Sequence, residues 1–372
     1  MQPLDRFFVF WRTTIVRDRE IVDAVVQPQH RAPSQELKEA LRRWPGIHYW
    51  ENSESGRRLV LVRSLDRPVK ERWWLHLGLF LVTFLTVWMG GALLAGGQGE
   101  LTPRLSGLEP EQVAASLERW VRTLLPGLNF ALGLMGILLA HELGHYFTAK
   151  WYGIGVSPPY FLPAPPNLNF VGTFGAFIRL RSPVLDRRQL LDVGAAGPWA
   201  GFLVSLVILA AGLRLSQPVD SIGDLSPQLI VVQGNALYLG DSLVMWAARR
   251  LLVGDGTVLL HPLALAGWLG LFVTMLNLLP LGQLDGGHVL YGLLGGAQRW
   301  IGWLVWFGLL ALGFSFWGWW VWAGFTLLIG RGRLAHPSVL DRNRPIPWSR
   351  HPVGWLTVAL FVATFTPVPF YV

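Results

Sequence analysis

The chain has 372 residues, 52% hydrophobic and only 15% charged, too little charge for an ordinary soluble protein. Its net charge of +8 lies in short loops between apolar stretches, which points to membrane orientation rather than a nucleic-acid-binding face. Without cysteine, thiolate metal sites, cysteine nucleophiles and disulfides are excluded, so any zinc would have to be held by His, Asp or Glu.

Residues 1–72 read as a small α/β cytosolic domain. Met1 to Asp66 is polar and Arg-rich, without the apolar core of a secretory signal. Phe7 to Val16 is strand-like, and Ser34 to Trp44 carries a helix signal with Ser34 as N-cap. Arg57 to Arg63 alternates like a strand after a turn at Ser55-Gly56. No function follows from this segment.

Residues 73–372 read as a membrane domain. Apolar runs long enough to cross a bilayer cover about 74–94, 124–147, 190–213 and 263–281. The run 301–329 is too long for one helix and breaks near Phe314–Gly318; a last run covers 353–370, weakened by Pro367 and Pro369. The expected fold is therefore a polytopic α-helical membrane protein of about seven spans, within a range of six to eight. The 20 Trp residues fit its many membrane–water interfaces. Arg-rich loops at 150–188 and 331–350, with Arg179, Arg181, Arg187 and Arg188, alternate with acidic loops. Those carry Glu100, Glu109, Glu111 and Glu118, then Asp220, Asp224, Asp241 and Asp255. A cytoplasmic N-terminus with seven spans satisfies that alternation.

The second span ends in His141-Glu142-Leu143-Gly144-His145. Two His at i and i+4 share one helix face and can reach one Zn²⁺, while Glu142 stands beside them to take a proton from water. Such a motif on a solvated helix is often meaningless, but titratable groups at membrane depth are costly and mark functional interiors. A third ligand is needed. Asp285, in Asn277-Leu278-Leu279-Pro280-Leu281-Gly282-Gln283-Leu284-Asp285-Gly286-Gly287-His288, immediately follows an apolar span. An Asp there is equally suited to capping a helix, and His288 is a competing ligand; spacing alone does not decide. Gly197-Pro198-Trp199-Ala200-Gly201 reads as a close-packing surface between helices. Tyr160 to Pro166 is Pro-rich and not helical, and Val171 to Arg181 resembles a strand or hairpin. Its stretch Gly172 to Leu180 is either an edge that pairs with an unwound substrate or a plain re-entrant loop. His261 reads as a membrane-surface residue, and His30, His48, His76, His336 and His351 receive no role.

HELGH at 141–145, GPWAG at 197–201 and NLLPLGQLDGG at 277–287, in that order on separate spans, resemble the signatures of the site-2 protease family of intramembrane zinc metalloproteases. The resemblance covers about 124–288. Gly172-Thr173-Phe174-Gly175-Ala176-Phe177 is similar to the branch of plant plastid members and their bacterial relatives. It implies that His141, His145 and Asp285 hold Zn²⁺, that Glu142 is the catalytic acid/base and that Asn277 positions or polarises the substrate carbonyl. It further implies regulated intramembrane proteolysis of transmembrane or membrane-anchored proteins within a lipid bilayer. A bacterial cytoplasmic membrane is the first expectation and a plastid membrane the alternative. The competing function is a non-proteolytic membrane zinc protein, such as a transporter or sensor, which has no need of Glu142.

Overall fold

A computed structural model describes residues 4–371 except 17–18, 31–33, 54–55, 65–70, 96–109, 167, 220–226, 233–234, 338 and 342–343. Ser55, Asp66, Glu100, Glu109, Asp220 and Asp224, which entered the sequence reading, lie outside the described residues.

Near the N-terminus, β1 (Phe8–Val16), β2 (Arg19–Val26), β3 (Ile47–Ser53) and β4 (Gly56–Ser64) form an antiparallel sheet in the order β1-β2-β4-β3. Helix α1 (Gln35–Arg42) starts where the Ser34 hydroxyl accepts from the Leu37 N–H at 3.3 Å, satisfying an otherwise orphaned donor. Leu37 and Leu41 of α1 join Val22, Ala24, Leu59 and Leu61 of the sheet in one core. Strand β2 escaped the sequence reading because Glu20 stands among its inward positions. It is buried there opposite Arg63, whose Nε donates to its carboxylate.

The rest of the chain is predominantly helical and apolar. Among the described residues, three helical stretches are long and apolar enough to cross a membrane: α2 (Trp73–Leu94), residues 112–151, and α5 (Arg187–Leu215). The middle one joins α3 (Pro110–Leu124) to α4 (Leu128–Trp151) through a tight turn at Pro126. A hairpin of β5 (Tyr160–Pro163) and β6 (Thr173–Phe177) separates α4 from α5. Beyond α5 come β7 (Gln217–Val219), β8 (Gln228–Val232), β9 (Asn235–Leu239), α6 (Leu243–Leu252) and β10 (Thr257–Leu259). These strands and a terminal β11 (Phe370–Tyr371) make a sheet ordered β11-β9-β8-β10-β7, in a loop the sequence marked only by its acidic residues.

The later helices are shorter than the apolar runs. Helix α7 (Pro262–Asn277) begins at His261, whose Nδ1 accepts from the Leu263 N–H at 3.2 Å. It ends four residues before the expected 281, because Pro280 has no N–H for the Leu276 carbonyl and its ring collides with that turn. Then follow α8 (Asp285–Leu294), α9 (Gln298–Leu312), α10 (Gly318–Ile329) and α11 (His351–Thr364). The expected break within 301–329 falls between α9 and α10, and the last run ends before Pro367. Helices α4, α5 and α7 form the centre, with Leu134 and Leu138, Leu209 and Leu213, and Leu265 and Trp268 in one buried cluster.

Candidate metal centre

The site's geometry starts from the 3.6-residue turn of α4. His141 and His145 lie one turn apart, and their rings meet edge to face with Nε2 atoms 3.1 Å apart. The His145 ring is fixed from behind, where Nδ1–H donates to the Val193 carbonyl of α5 at 2.7 Å. That bond places the proton on Nδ1 and leaves Nε2 with a free lone pair, the arrangement a metal-ligating imidazole needs.

Asp285 arrives from the other end of the sequence. It is the first residue of α8, yet Leu284 is the N-cap and no side chain caps the helix there. Instead an Asp285 carboxylate oxygen lies 3.2 Å from His141 Nε2 and 3.3 Å from His145 Nε2. The break between α7 and α8 swings Asp285 back beneath α4. In the first turn of α8, a Cβ on Gly286 would come 1.9 Å from the Leu278 carbonyl oxygen, so only glycine permits the helix to start this close to the break.

Two imidazoles and one carboxylate are a zinc donor set with a position left for water. Donors spaced 3.1 to 3.3 Å apart match the edge of a tetrahedron with arms of roughly 2.0–2.1 Å, about 3.3 Å. Among the described residues these three form the only group of His, Asp or Glu with that convergence. His288, the competing ligand by sequence, is outside it and pairs with His336 instead.

Glu142 is 6% exposed and faces the backbone N–H of Ile178, one residue beyond β6. Asn277, the last residue of α7, has its amide nitrogen 3.3 Å from His141 Nε2. These groups line a cavity of about 230 Å³, with Ala176, Phe177 and Ile178 of the hairpin along one side.

The small residues of α5 prove to be more than a helix-packing surface. A Cβ on Gly197 would lie 2.1 Å from His145 Nε2, and one on Gly201 would lie 3.2 Å from His141 Nδ1. The absent side chains are what let the two rings stand between α4 and α5. Neither this nor the Val193 carbonyl was readable as a site feature, since a backbone acceptor carries no residue signature.

Fold and site together define a multi-pass membrane protein with a candidate His-His-Asp metal centre at a broken helix. Residues 129–302 match the model of Peptidase family M50. The chain is 33% identical over 246 residues to Probable zinc metalloprotease EGY1, chloroplastic, of Arabidopsis thaliana, covering 65% of this chain and 43% of that protein. It is 30% identical over 322 residues to the protein of the same name from Oryza sativa subsp. japonica, covering 84% and 53%. Probable zinc metalloprotease EGY2, chloroplastic, of Arabidopsis thaliana is 35% identical over 174 residues, covering 45% and 29%. The chain thus spans about half or less of these relatives. No solved structure matches it.

Proposed function

We propose that the protein is an intramembrane zinc metalloprotease that hydrolyses peptide bonds of transmembrane or membrane-anchored proteins. The observation that carries this reading is the meeting of His141, His145 and Asp285 beside Glu142, on helices of a membrane domain. Titratable groups gathered at such a place are costly without a function. Bound zinc supplies Lewis acidity, lowering the pKa of water towards about 7 and polarising a peptide carbonyl. His141, His145 and Asp285 hold the ion. Glu142 takes a proton from the attacking water and returns it to the leaving amine. The Asn277 amide donates towards the carbonyl oxygen as negative charge grows on it. The test is a transmembrane reporter incubated with the purified protein. Cleavage that stops on zinc chelation and returns on zinc addition is expected; a reporter left whole by zinc-loaded protein refutes the reading.

A substrate helix has every carbonyl and N–H paired, so it must unwind before attack. The hairpin is suited to receive it, because β5 pairs with one edge of β6 and no other described strand pairs with the second. We assign Gly172 to Leu180 to binding the unwound segment by strand addition. Substituting Pro for Ala176 removes one donor and is expected to cut reporter cleavage about 3- to 10-fold while zinc stays bound, the net worth of one hydrogen bond. Unchanged cleavage would leave the hairpin as a plain re-entrant loop.

The domain division falls at residues 72 and 73. Seven spans include the shorter α7, α9, α10 and α11 beside α2, α4 and α5, with the N-terminal sheet and metal centre towards the cytoplasm. This rests on the alternation of Arg-rich and acidic loops. A bacterial cytoplasmic membrane is the preferred setting and a plastid membrane the alternative. Since the chain has no cysteine, single cysteines introduced at Gln29 and Arg250 report sidedness directly. Labelling of both from the same side would reject this topology.

A further inference from the structure

His288 lines the cavity of the candidate metal centre one turn beyond Asp285, yet it belongs to no step of the chemistry above. Its protonation pattern is set from outside the cavity. The Nδ1 of His336 lies against the Pro337 carbonyl, which can only accept, so the His336 proton is on Nδ1. The His336 Nε2 is then an acceptor, 2.8 Å from His288 Nδ1, which must donate to it. Burial pushes the His336 ring down to about 3, with the neighbouring His288 adding to the fall against the opposing pull of the Pro337 carbonyl, so the ring stays neutral. A neutral His288 that spends its proton on His336 carries a bare Nε2.

The arrangement is held by a strap. The Gln298 side chain, 1% exposed, donates to the Pro280 carbonyl at 3.0 Å and the Leu334 carbonyl at 3.1 Å. It accepts from the His336 N–H at 3.0 Å, while the Gly282 N–H donates to Leu334 at 2.9 Å. Residues 334–336 are thereby tied to the turn that carries Asp285, and His336 is fixed over His288.

Around the cavity, Glu142, His141, His145 and Asp285 are committed to water and metal. The Asn277 and Gln283 amides each carry donors as well as an acceptor. Among the described side chains that line the cavity, His288 is the one that offers an acceptor with no donor beside it. An unwound substrate brings the complementary need, since its freed backbone N–H groups must find acceptors away from water. We propose that His288, locked by His336, is a substrate-positioning residue whose Nε2 accepts a hydrogen bond from a backbone N–H of the bound peptide. This deepens the protease reading and rests on it for the identity of the ligand as an unwound peptide.

The test uses the full-length protein in lipid nanodiscs with the Glu142→Gln substitution, so that peptide binds without being cut. The probe is a synthetic transmembrane peptide and a series in which single amides are replaced by esters, each removing one N–H. One ester is expected to weaken binding about 3- to 10-fold, the net worth of a hydrogen bond. Adding His288→Ala is expected to abolish that difference while zinc content stays unchanged. His336→Ala is expected to shrink it, and His336→Gln, whose carbonyl can accept from His288, to restore it. Uniform tolerance of all esters, or a series in which no ester penalty is lost on His288→Ala, overturns the proposal, whereas penalties from pairing with the hairpin edge are expected to persist. Zinc loss on His288→Ala, which would make His288 a ligand, also overturns it. A wild-type protein that holds zinc and binds the peptide with this ester pattern, yet leaves it whole, would refute the protease reading and leave the His288 contact standing.

Discussion

A single methyl group at position 197 is expected to empty the metal centre. The Cβ of Gly197→Ala would come 2.1 Å from His145 Nε2, the nitrogen that faces Asp285. The neighbour is a ring held by its other nitrogen to Val193, so it cannot step aside without losing that bond. Loss of such an orienting contact lowers metal affinity by roughly 10- to 100-fold, and a displaced ligand falls at the upper end of that range or beyond. Zinc per chain and reporter cleavage should fall together. Gly201→Ala is a milder neighbour, with its Cβ at 3.2 Å from the His141 ring, and Gly136→Ala, with nothing within 4 Å, should leave both unchanged. Equal zinc content in the Gly197 and Gly136 variants would refute the placement of α5 against the site.

Glu142→Gln is expected to separate chemistry from binding. The substitution keeps the shape of the side chain and removes the proton acceptor, and general acid–base catalysis is worth about 100- to 10,000-fold. Zinc should remain at the wild-type level, because the donors are His141, His145 and Asp285 and not Glu142. Cleavage of the transmembrane reporter should fall within that range. A transporter or sensor reading expects no cleavage by either form, so measurable wild-type cleavage that survives the substitution would contradict both accounts.

Much of the site was legible because its chemistry is local. His141, Glu142 and His145 fall within one turn of an apolar run, and Asp285 stands where another run ends. Sequence spacing left Asp285 and His288 in competition; the choice is made by a helix break that turns one residue towards α4 and the next turn of α8 towards His336. The hairpin announced itself by prolines and by a mix of Gly, Phe and Ile. The span lengths were less legible, since hydropathy reports where apolar residues lie and not where hydrogen-bonded turns stop. Helix α7 has 16 residues, about 24 Å, although the apolar sequence runs on through Leu281. Strands of two to five residues in the sheet beyond α5 are too short to display alternation. His336 carried no signal at all, because its partner lies 48 residues away on a helix it does not adjoin in sequence.

The proposed activity requires two segments, far apart in the chain, to share one ion. The direct measurement is zinc per chain in purified wild type and Asp285→Ala, prepared side by side without added chelator. About one zinc in the wild type and a fall of at least 10-fold in the variant are predicted, from the loss of one of three protein ligands. Wild-type protein without zinc, or equal zinc in both, would contradict the account.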